Sequence, residues 1–177
     1  MRKFLKYLFL TIILCTFLGL FALVNYATPS YNITYVKGIE VKRVDKDGPI
    51  TKSNPADGPT RDVYYIYTQK PDQNEKVMVY RNEDTRWGFP FYFKFASADL
   101  QAKAQSFYTD NQLVQIKYYG WRLKILNEFP NAVSIKAATP EEKPSSPIFA
   151  YILYFILLIG LILSIQFVRG WYDSDKA

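Results

Sequence analysis

The sequence has no histidine and only one cysteine, Cys15, among its 177 residues. These shortages exclude zinc sites built from cysteine and histidine, a histidine general base and an intrachain disulfide. The eight glycines are scattered, and the chain has no G-x-x-x-x-G-K element of the kind that cradles a phosphate. We therefore predict no cofactor, no metal site and no catalytic residue, and we expect that the protein is not an enzyme.

The positive charge of the chain is not arranged for nucleic acid. The formal net charge is +6, but residues 25–147 hold 17 Lys and Arg against 14 Asp and Glu. This balance leaves no basic stripe that would hold a polyphosphate. We predict no nucleic-acid partner.

Two long uncharged runs, at residues 8–24 and 148–168, predict transmembrane helices, because about 20 apolar residues span the hydrocarbon core of a bilayer. A cleaved signal peptide is the alternative for the first run. Its best cleavage site, Asn25-Tyr26-Ala27, has a polar residue where a small one is needed. Small residues recur at four-residue spacing in both runs and predict close helix packing, with each other or with a partner. They are Cys15 with Gly19, and Gly160 with Ser164.

Two spans place both termini on the same side of the membrane. The cations Arg2, Lys3 and Lys6 before the first run, and Arg169 after the second, indicate that this side is the cytoplasm. The segment between the runs is then extracytoplasmic. The predicted division is a transmembrane anchor at 1–24, an extracytoplasmic mainly-β domain at 25–137, an extended proline-rich linker at 138–147, a second transmembrane helix at 148–168 and a cytoplasmic tail at 169–177.

Alternating polar and apolar residues predict that the domain consists mainly of strands. The first strand runs from Ile33 to Val44 and bends at Gly38. A helix is predicted to begin at Ser97 as its N-cap, with Asp99 in its first turn. The other predicted features are strands at 62–68, 76–80, 113–119 and 133–136, a turn at 71–74, a short extra strand at 91–95, and residues 123–129, which fit no element cleanly.

Three strands, a helix and two further strands follow one another along the domain. This is the order of a five-stranded OB-type barrel, although other small barrels and β-sandwiches have similar patterns. The predicted fold class is therefore mainly β, a small OB-like barrel or a sandwich with one helix, flanked by two transmembrane α-helices.

Charged and aromatic side chains are densest at residues 80–88 and 118–122. The simpler interpretation is structural: the arginines pair with nearby carboxylates, including Asp62, and hold a large loop in shape. The candidate ligand or partner surface consists of Arg81, Glu83, Asp84, Arg86, Trp87, Trp121 and Arg122.

A binding interpretation places Trp87 and Trp121 on a sugar-like face, where Glu83 and Asp84 accept hydroxyl hydrogens. A glycosidase would need two converging carboxylates. Neighbouring residues on a strand point to opposite faces, so Glu83 and Asp84 would need a turn to converge.

Tyrosine is abundant, with 15 copies. Tyr64, Tyr65 and Tyr67 fall on both faces of one predicted strand, so at least some of them should be exposed. Exposed aromatic residues indicate an interface, although tyrosine is also an ordinary strand former.

Six short motifs occur in a fixed order along the chain: TRDV at 60–63, VYRNEDT at 79–85, FYFKF at 91–95, SADLQA at 97–102, YGWR at 119–122 and FPNAV at 129–133. Together they resemble a bacterial, membrane-associated family known as domain of unknown function 1523. The resemblance covers nearly the whole chain and implies the bacterial inner membrane as the location, but no activity. The chain departs from the family pattern at Arg86, where a glycine is usual, and at Tyr118, where a histidine is frequent. The missing histidine further weakens an enzymatic interpretation.

Two functions remain in competition. The first is a non-enzymatic, doubly membrane-anchored extracytoplasmic module that binds or supports another membrane or envelope protein, or itself. The alternative is an envelope protein that binds a glycan or another small ligand around Trp87 and Trp121. In both cases the lipid bilayer is a partner of the two anchors.

Overall fold

A computed structural model describes residues 2–45, 48–71 and 77–174. The chain divides into two compact units, one formed by residues 1–28 with 147–177 and the other by residues 29–146. The described residues contain three helices and six strands, so the chain as a whole is a mixed α and β structure. Its β domain lies in sequence between two apolar helices.

The helical unit is a pair of antiparallel helices. α1 spans Arg2–Ala27 and α3 spans Ile148–Ser174. Both are long and apolar enough to cross a membrane. The rings of Phe9 and Tyr172 lie 6.4 Å apart and those of Phe21 and Tyr154 lie 5.9 Å apart, so the start of one helix packs beside the end of the other. The last three residues of the predicted tail lie outside the described residues.

Gly160 lies at the contact between these helices. A Cβ atom at Gly160 would be 3.3 Å from Cε1 of Phe17, which is closer than ordinary van der Waals contact. Among the described residues, nothing outside its own helix backbone lies within 4 Å of a Cβ at Gly19, and Cys15 is exposed. Ser164 donates its hydroxyl to the carbonyl of Gly160 at 2.7 Å. Gly160 therefore has the predicted role in packing the two helices together, and packing of Cys15 and Gly19 onto a partner stays a prediction.

The β domain is one sheet with a single helix among its described residues. Its elements are β1 Ser30–Asp45, β2 Gly48–Pro49, β3 Arg61–Gln69, β4 Val77–Asn82, α2 Ser97–Thr109, β5 Leu113–Tyr119 and β6 Asn131–Ala137. The strand order is β2-β1-β3-β4-β6-β5, and β5 also pairs with β1, so the five longer strands close into a barrel. The predicted turn at 71–74 lies mostly outside the described residues.

Residues 91–95 are not a strand, and that prediction is wrong. Their main chain bonds within its own loop, where the carbonyl of Lys94 accepts the N–H of Arg86 at 3.0 Å. A segment whose hydrogen bonds are used locally in this way has none left to form a ladder with a neighbouring strand.

β1 is long enough to pair with two neighbours. Its first part, from Ser30 to Tyr35, pairs antiparallel with β5, and its second part, from Tyr35 to Val44, pairs with β3. The register shifts between Val36 and Gly38, at the bend that the sequence predicts. An irregularity of this kind bends and twists a strand, which lets β1 serve both sides of a small barrel.

The barrel core lies between the sheet and α2. Leu100 and Ala104, one turn apart on the same face of α2, are buried against the strands. The core cluster contains Val36, Ile66, Tyr80, Leu100, Ala104, Val114, Ile116, Ala132 and Ile135. A second, smaller buried cluster consists of Val44, Val63 and Tyr65. Tyr65 is therefore a core residue and not part of an exposed face.

The segment predicted as an extended linker is bound to the barrel. The N–H of Ala138 donates to the carbonyl of Leu113 at 2.9 Å. Gln115 donates to the hydroxyl of Ser145 at 2.9 Å and accepts the Ser145 N–H at 3.1 Å. Because Gln115 offers both a donor and an acceptor, the segment is held against β5 instead of standing free as a stalk.

We expect Gly160→Leu to loosen the helix pair. The branched side chain has to displace the Phe17 ring, and overpacking of this kind costs about 1–3 kcal/mol. Gly19→Leu is the matched control, because the space around Gly19 is open among the described residues.

Crosslinking with a short bis-maleimide measures this effect. In a Cys15→Ser background, the pair Phe9→Cys and Tyr172→Cys should react, because the side chains at these two positions point towards each other and the reagent spans the gap that a direct disulfide would not. We expect the crosslinking yield to fall with Gly160→Leu and to stay unchanged with Gly19→Leu. Equal yields in the two variants would show that Gly160 has no special part in the packing.

Candidate functional site

The candidate residues of the first stretch lie at the end of β4 and in the loop that follows it, residues 83–96. One side chain of β6 fastens the start of this loop. Asn131 Nδ2 donates to the carbonyl of Glu83 at 3.0 Å, and Asn131 Oδ1 accepts the Glu83 N–H at 2.9 Å. The side-chain amide thus takes the place of a neighbouring strand. It extends the contact between β4 and β6, whose parallel ladder otherwise has one residue pair, Arg81 with Asn131.

A buried lysine fastens the far part of the same loop. Lys94 is 7% exposed, and its ammonium donates to Oδ1 of Asn82 and, at 2.7 Å, to the carbonyl of Ala132. Asn82 Nδ2 donates in turn to the carbonyl of Ser97 at 2.8 Å and to Oε1 of Gln101 at 3.1 Å. Lys94 therefore connects the loop with β4 and β6 and, through Asn82, with α2.

Burial lowers the pKa of Lys94 to about 8, and the negative charges of Asp84 and Glu83 oppose that shift. Removing an ammonium group from water is costly even when oxygen atoms replace the water molecules. Here the replacing oxygens belong to a neutral amide and a main-chain carbonyl. The charged form of Lys94 therefore holds the loop in place, but its burial lowers the free energy of unfolding of the domain.

Asp84 caps α2 from outside the helix. Its Oδ1 accepts the N–H of Ser97 at 2.8 Å, which satisfies one of the donors that a helix leaves free in its first turn. The prediction that Ser97 is the N-cap is wrong. The N-cap is Ala96, whose side chain cannot accept a hydrogen bond, so the preceding loop supplies the acceptor. Asp99 lies in the first turn as predicted.

Glu83 belongs to a half-buried cluster of charges. Its carboxylate oxygens lie 3.1 Å from Nη1 of Arg61 and 3.3 Å from Nε of Arg81. Nη1 of Arg81 lies 3.3 Å from Oε2 of Glu128. The prediction that Arg81 and Glu83 pair at the end of the strand is confirmed, and the cluster also joins the loop between β5 and β6.

Two other predicted pairings are wrong. Asp62 pairs with Arg43 of the neighbouring strand, at 3.4 Å. Arg122 donates to the carbonyl of Glu128 at 2.8 Å and lies 4.0 Å from the centre of the Phe129 ring. Its guanidinium therefore closes residues 123–129 into a small hairpin, in which Leu123 and Glu128 form a bridge.

Five aromatic side chains stand out from loop 83–96, each more than half exposed. They are Trp87, Phe89, Phe91, Phe93 and Phe95, and we call them the aromatic strip. Between them, Pro90 and Lys94 are buried. The Trp87 ring centre lies 5.5 Å from those of Phe93 and Phe95 in edge-to-face contact, so the rings support one another.

The backbone beneath the aromatic strip is strained and held in place. Arg86 and Phe93 have φ angles of 48° and 50°, in the left-handed region that bulky residues rarely adopt. Such conformations persist only where the surroundings hold them. Here Lys94 holds the loop, and the Tyr92 ring stacks on Tyr119 at 5.0 Å. The strip is therefore presented by a rigid loop.

The seven candidate residues do not form one site. Arg81 and Glu83 belong to the charge cluster, and Asp84 caps α2. Arg86 donates its main-chain N–H within loop 83–96, and Trp87 belongs to the aromatic strip. Trp121 and Arg122 lie at the start of the loop between β5 and β6. Within the described ranges, no three Cys, Asp or Glu side chains are grouped so as to hold a metal ion.

Sequence reasoning missed Lys94 and the phenylalanines of the aromatic strip as a unit. The alternation of phenylalanine at 89–95 is visible in the sequence, but alternation predicts a strand. Lys94 carries no such signal, because a lysine in a loop is normally exposed. Only the packing of the loop against Asn82 shows that its ammonium is buried.

Comparison with known proteins identifies the family. A family of proteins of unknown function, DUF1523, matches the chain over residues 5–172. The chain belongs to this family. An uncharacterized protein of Haemophilus influenzae is 66% identical over 177 residues, covering 99% of this chain and 100% of that protein. The resemblance carried by the six sequence motifs is thereby confirmed for this DUF1523 member.

Solved structures resemble it only distantly. A mutant Salmonella typhi PltB homopentamer matches 70% of this chain and 96% of its own, with 16% identity and a TM-score of 0.45. A second PltB mutant, solved with a Neu5Ac-containing glycan, matches the same shares with 14% identity and a TM-score of 0.46. Both similarities are too weak to assign a ligand to the DUF1523 chain.

We expect Asp84→Ala to lower the free energy of unfolding by about 1 kcal/mol, because α2 loses the acceptor for the Ser97 N–H. Asp84→Asn keeps an oxygen acceptor and should lose less. Urea unfolding of the full-length protein in mild detergent, followed by circular dichroism, measures both variants. Equal losses in the two variants would contradict the capping role.

We expect Lys94 to make stability rise with pH between about 8 and 10.5. Below pH 8 the lysine is charged in both the folded and the unfolded chain, and above its ordinary pKa of 10.5 it is neutral in both. Between these values the unfolded chain binds more protons, so the free energy of unfolding increases with pH. The total increase is at most about 3.4 kcal/mol, from 1.36 kcal/mol for each of about 2.5 pKa units.

Lys94→Met isolates this effect, because methionine does not titrate. The other groups titrate in both proteins, so their contribution cancels when the two stabilities are compared. Urea unfolding at a series of pH values should show that the wild type gains stability relative to Lys94→Met between pH 8 and 10.5. A constant difference across that range would mean that Lys94 is not buried as described.

Proposed function

We propose that the protein is a non-enzymatic module anchored in the bacterial inner membrane, whose extracytoplasmic barrel binds another membrane or envelope protein. α1 and α3 supply the two anchors, and the N-terminal cations Arg2, Lys3 and Lys6 orient both termini towards the cytoplasm. The observation that carries the proposal is the aromatic strip. A contiguous exposed apolar patch of this kind marks an interaction surface.

We infer that the barrel is of OB type. Among the five long strands in chain order, the first pairs with the second and the fourth, and the third lies beside the fifth. The helix α2 falls between the third and fourth of these strands, which is the OB arrangement. Known barrels of this class bind oligonucleotides or oligosaccharides through their second and third strands and through the loops after the first and fourth strands. The loop after the fourth long strand is here residues 120–130.

The charged residues of the candidate surface support binding over catalysis. The Glu83 carboxylate is engaged by Arg61 and Arg81, and the Asp84 carboxylate accepts from the helix. A general acid and base need carboxyl groups directed at a shared substrate. These two carboxylates instead stabilise different parts of the domain, so we keep the prediction that the protein is not an enzyme.

A protein partner suits the aromatic strip better than a glycan does. Protein interfaces are enriched in tryptophan and other aromatic residues, and their hot spots are rigid rings in well-packed surroundings. The strip offers five rings on a strained, fastened loop, so little entropy is lost when a partner covers it. The two carboxylates that the glycan interpretation expects to accept sugar hydroxyls, Glu83 and Asp84, are already engaged within the domain.

Capture from native membranes tests this proposal. The full-length protein, purified in mild detergent, should retain a partner near equimolar amount. In the double variant Trp87→Ala with Phe91→Ala, recovery should fall more than tenfold, because hot-spot residues contribute about 2 kcal/mol or more each. Tyr108→Ala is the matched control, since Tyr108 is an exposed aromatic residue on α2, away from the strip.

Two outcomes would contradict the proposal. Unchanged recovery of the partner with the double variant would remove the strip as the binding surface. Absence of any equimolar partner would remove the function. A glycan panel on the same proteins tests the alternative, in which Trp87→Ala and Trp121→Ala should each abolish a ligand-dependent change in fluorescence.

A further inference from the structure

A second apolar surface lies at the tip of the hairpin between β5 and β6. Ile125 is 99% exposed and Leu126 is 68% exposed. Leu123 and Glu128 exchange main-chain hydrogen bonds of 3.1 Å and 3.0 Å, and the N–H of Asn127 donates to the carbonyl of Lys124 at 3.2 Å. Two large aliphatic side chains therefore stand at the apex of a closed turn.

The base of this hairpin is braced against the barrel. Glu128 pairs with Arg81 of β4 at 3.3 Å, and Arg122 bonds the Glu128 carbonyl and packs on Phe129. Asn127 has a φ angle of 51°, a left-handed conformation that asparagine tolerates in tight turns. The exposure of the tip is therefore a property of a formed hairpin.

The hairpin lies at the end of the barrel where β1 begins. β5 runs antiparallel to the start of β1, with Tyr118 opposite Ser30. The end of β5 therefore lies beside the start of β1. Two residues separate Ser30 from α1, which ends at Ala27. The hairpin that follows β5 therefore leaves the barrel at the same end as the start of β1.

The composition of the hairpin matches the boundary of a bilayer. Trp121 stands at its base, and Lys124 is exposed beside the aliphatic tip. Tryptophan is favoured at the headgroup level, and a cation there meets lipid phosphate. Glu128 is the only carboxylate in residues 120–130, and it is paired with Arg81. The pairing reduces the repulsion between this carboxylate and anionic lipid headgroups.

We propose that this hairpin inserts Ile125 and Leu126 into the interface of the bilayer that α1 spans, as a third point of membrane contact. The inference rests on the proposed membrane anchoring by α1. Lipid suits this surface better than a protein pocket, because the tip is convex and its side chains stand free. The rings of the aromatic strip, in contrast, pack against one another and offer a broad face.

Electron paramagnetic resonance on the full-length protein tests the proposal. In a Cys15→Ser background, a nitroxide label is attached at Ile125→Cys or at the control Ser53→Cys, in the exposed loop before β3. The protein is placed in vesicles of phosphatidylethanolamine and phosphatidylglycerol. Collision with oxygen, which concentrates in lipid, is compared with collision with a water-soluble nickel chelate.

We expect the ratio of oxygen to nickel collision to be several-fold higher at Ile125→Cys than at Ser53→Cys. Equal, water-like ratios at both positions would overturn the proposal. Low collision with both reagents at Ile125→Cys would also overturn it, because protein would then cover the tip.

A label at Leu18→Cys, on an exposed position of α1, separates this inference from the anchoring on which it rests. A lipid-like ratio at Leu18→Cys with a water-like ratio at Ile125→Cys refutes the hairpin contact alone. A water-like ratio at Leu18→Cys refutes the membrane anchor itself.

Discussion

The barrel depends on the junction between β4 and β6. A closed sheet needs partners on both sides of each strand, yet these two strands share one main-chain pair, Arg81 with Asn131. Side chains supply the other connections: Asn131 bonds the main chain of Glu83, and the ammonium of Lys94 joins Asn82 to a carbonyl of β6. A buried polar group left without a partner costs more than the bond itself contributes. Buried polar side chains therefore close the barrel where main-chain ladders do not.

The same junction decides which surfaces the domain presents. Lys94 lies between Phe93 and Phe95, and its buried ammonium holds the loop in the conformation that exposes both rings. Arg81 pairs with Glu128 and thereby ties the second exposed loop to β4. The aromatic strip and the hairpin tip thus depend on one set of contacts at the closure of the barrel. Rigid presentation reduces the entropy lost on binding, as a binding surface requires.

The charged residues that attract attention in the sequence are used mainly to build this frame. Glu83 and Arg81 belong to a half-buried ion cluster, and Asp84 replaces the side-chain cap that Ala96 cannot provide. These residues therefore have structural roles, as the simpler interpretation predicts. Of the expected ion pairs, however, only the one between Arg81 and Glu83 forms. Pairing between residues far apart in sequence depends on which strands become neighbours, and local patterns do not contain that information.

The sequence by itself determined the family, the two apolar helices, the bend in β1 and the order of the long elements, because each is encoded in contiguous composition or periodicity. Only the tertiary structure decided that β4 meets β6, that Asp84 caps α2, that residues 91–95 expose their phenylalanines instead of forming a strand, and that Lys94 is buried. These features arise from contacts between distant segments, where the balance of buried hydrogen bonds overrides local preference.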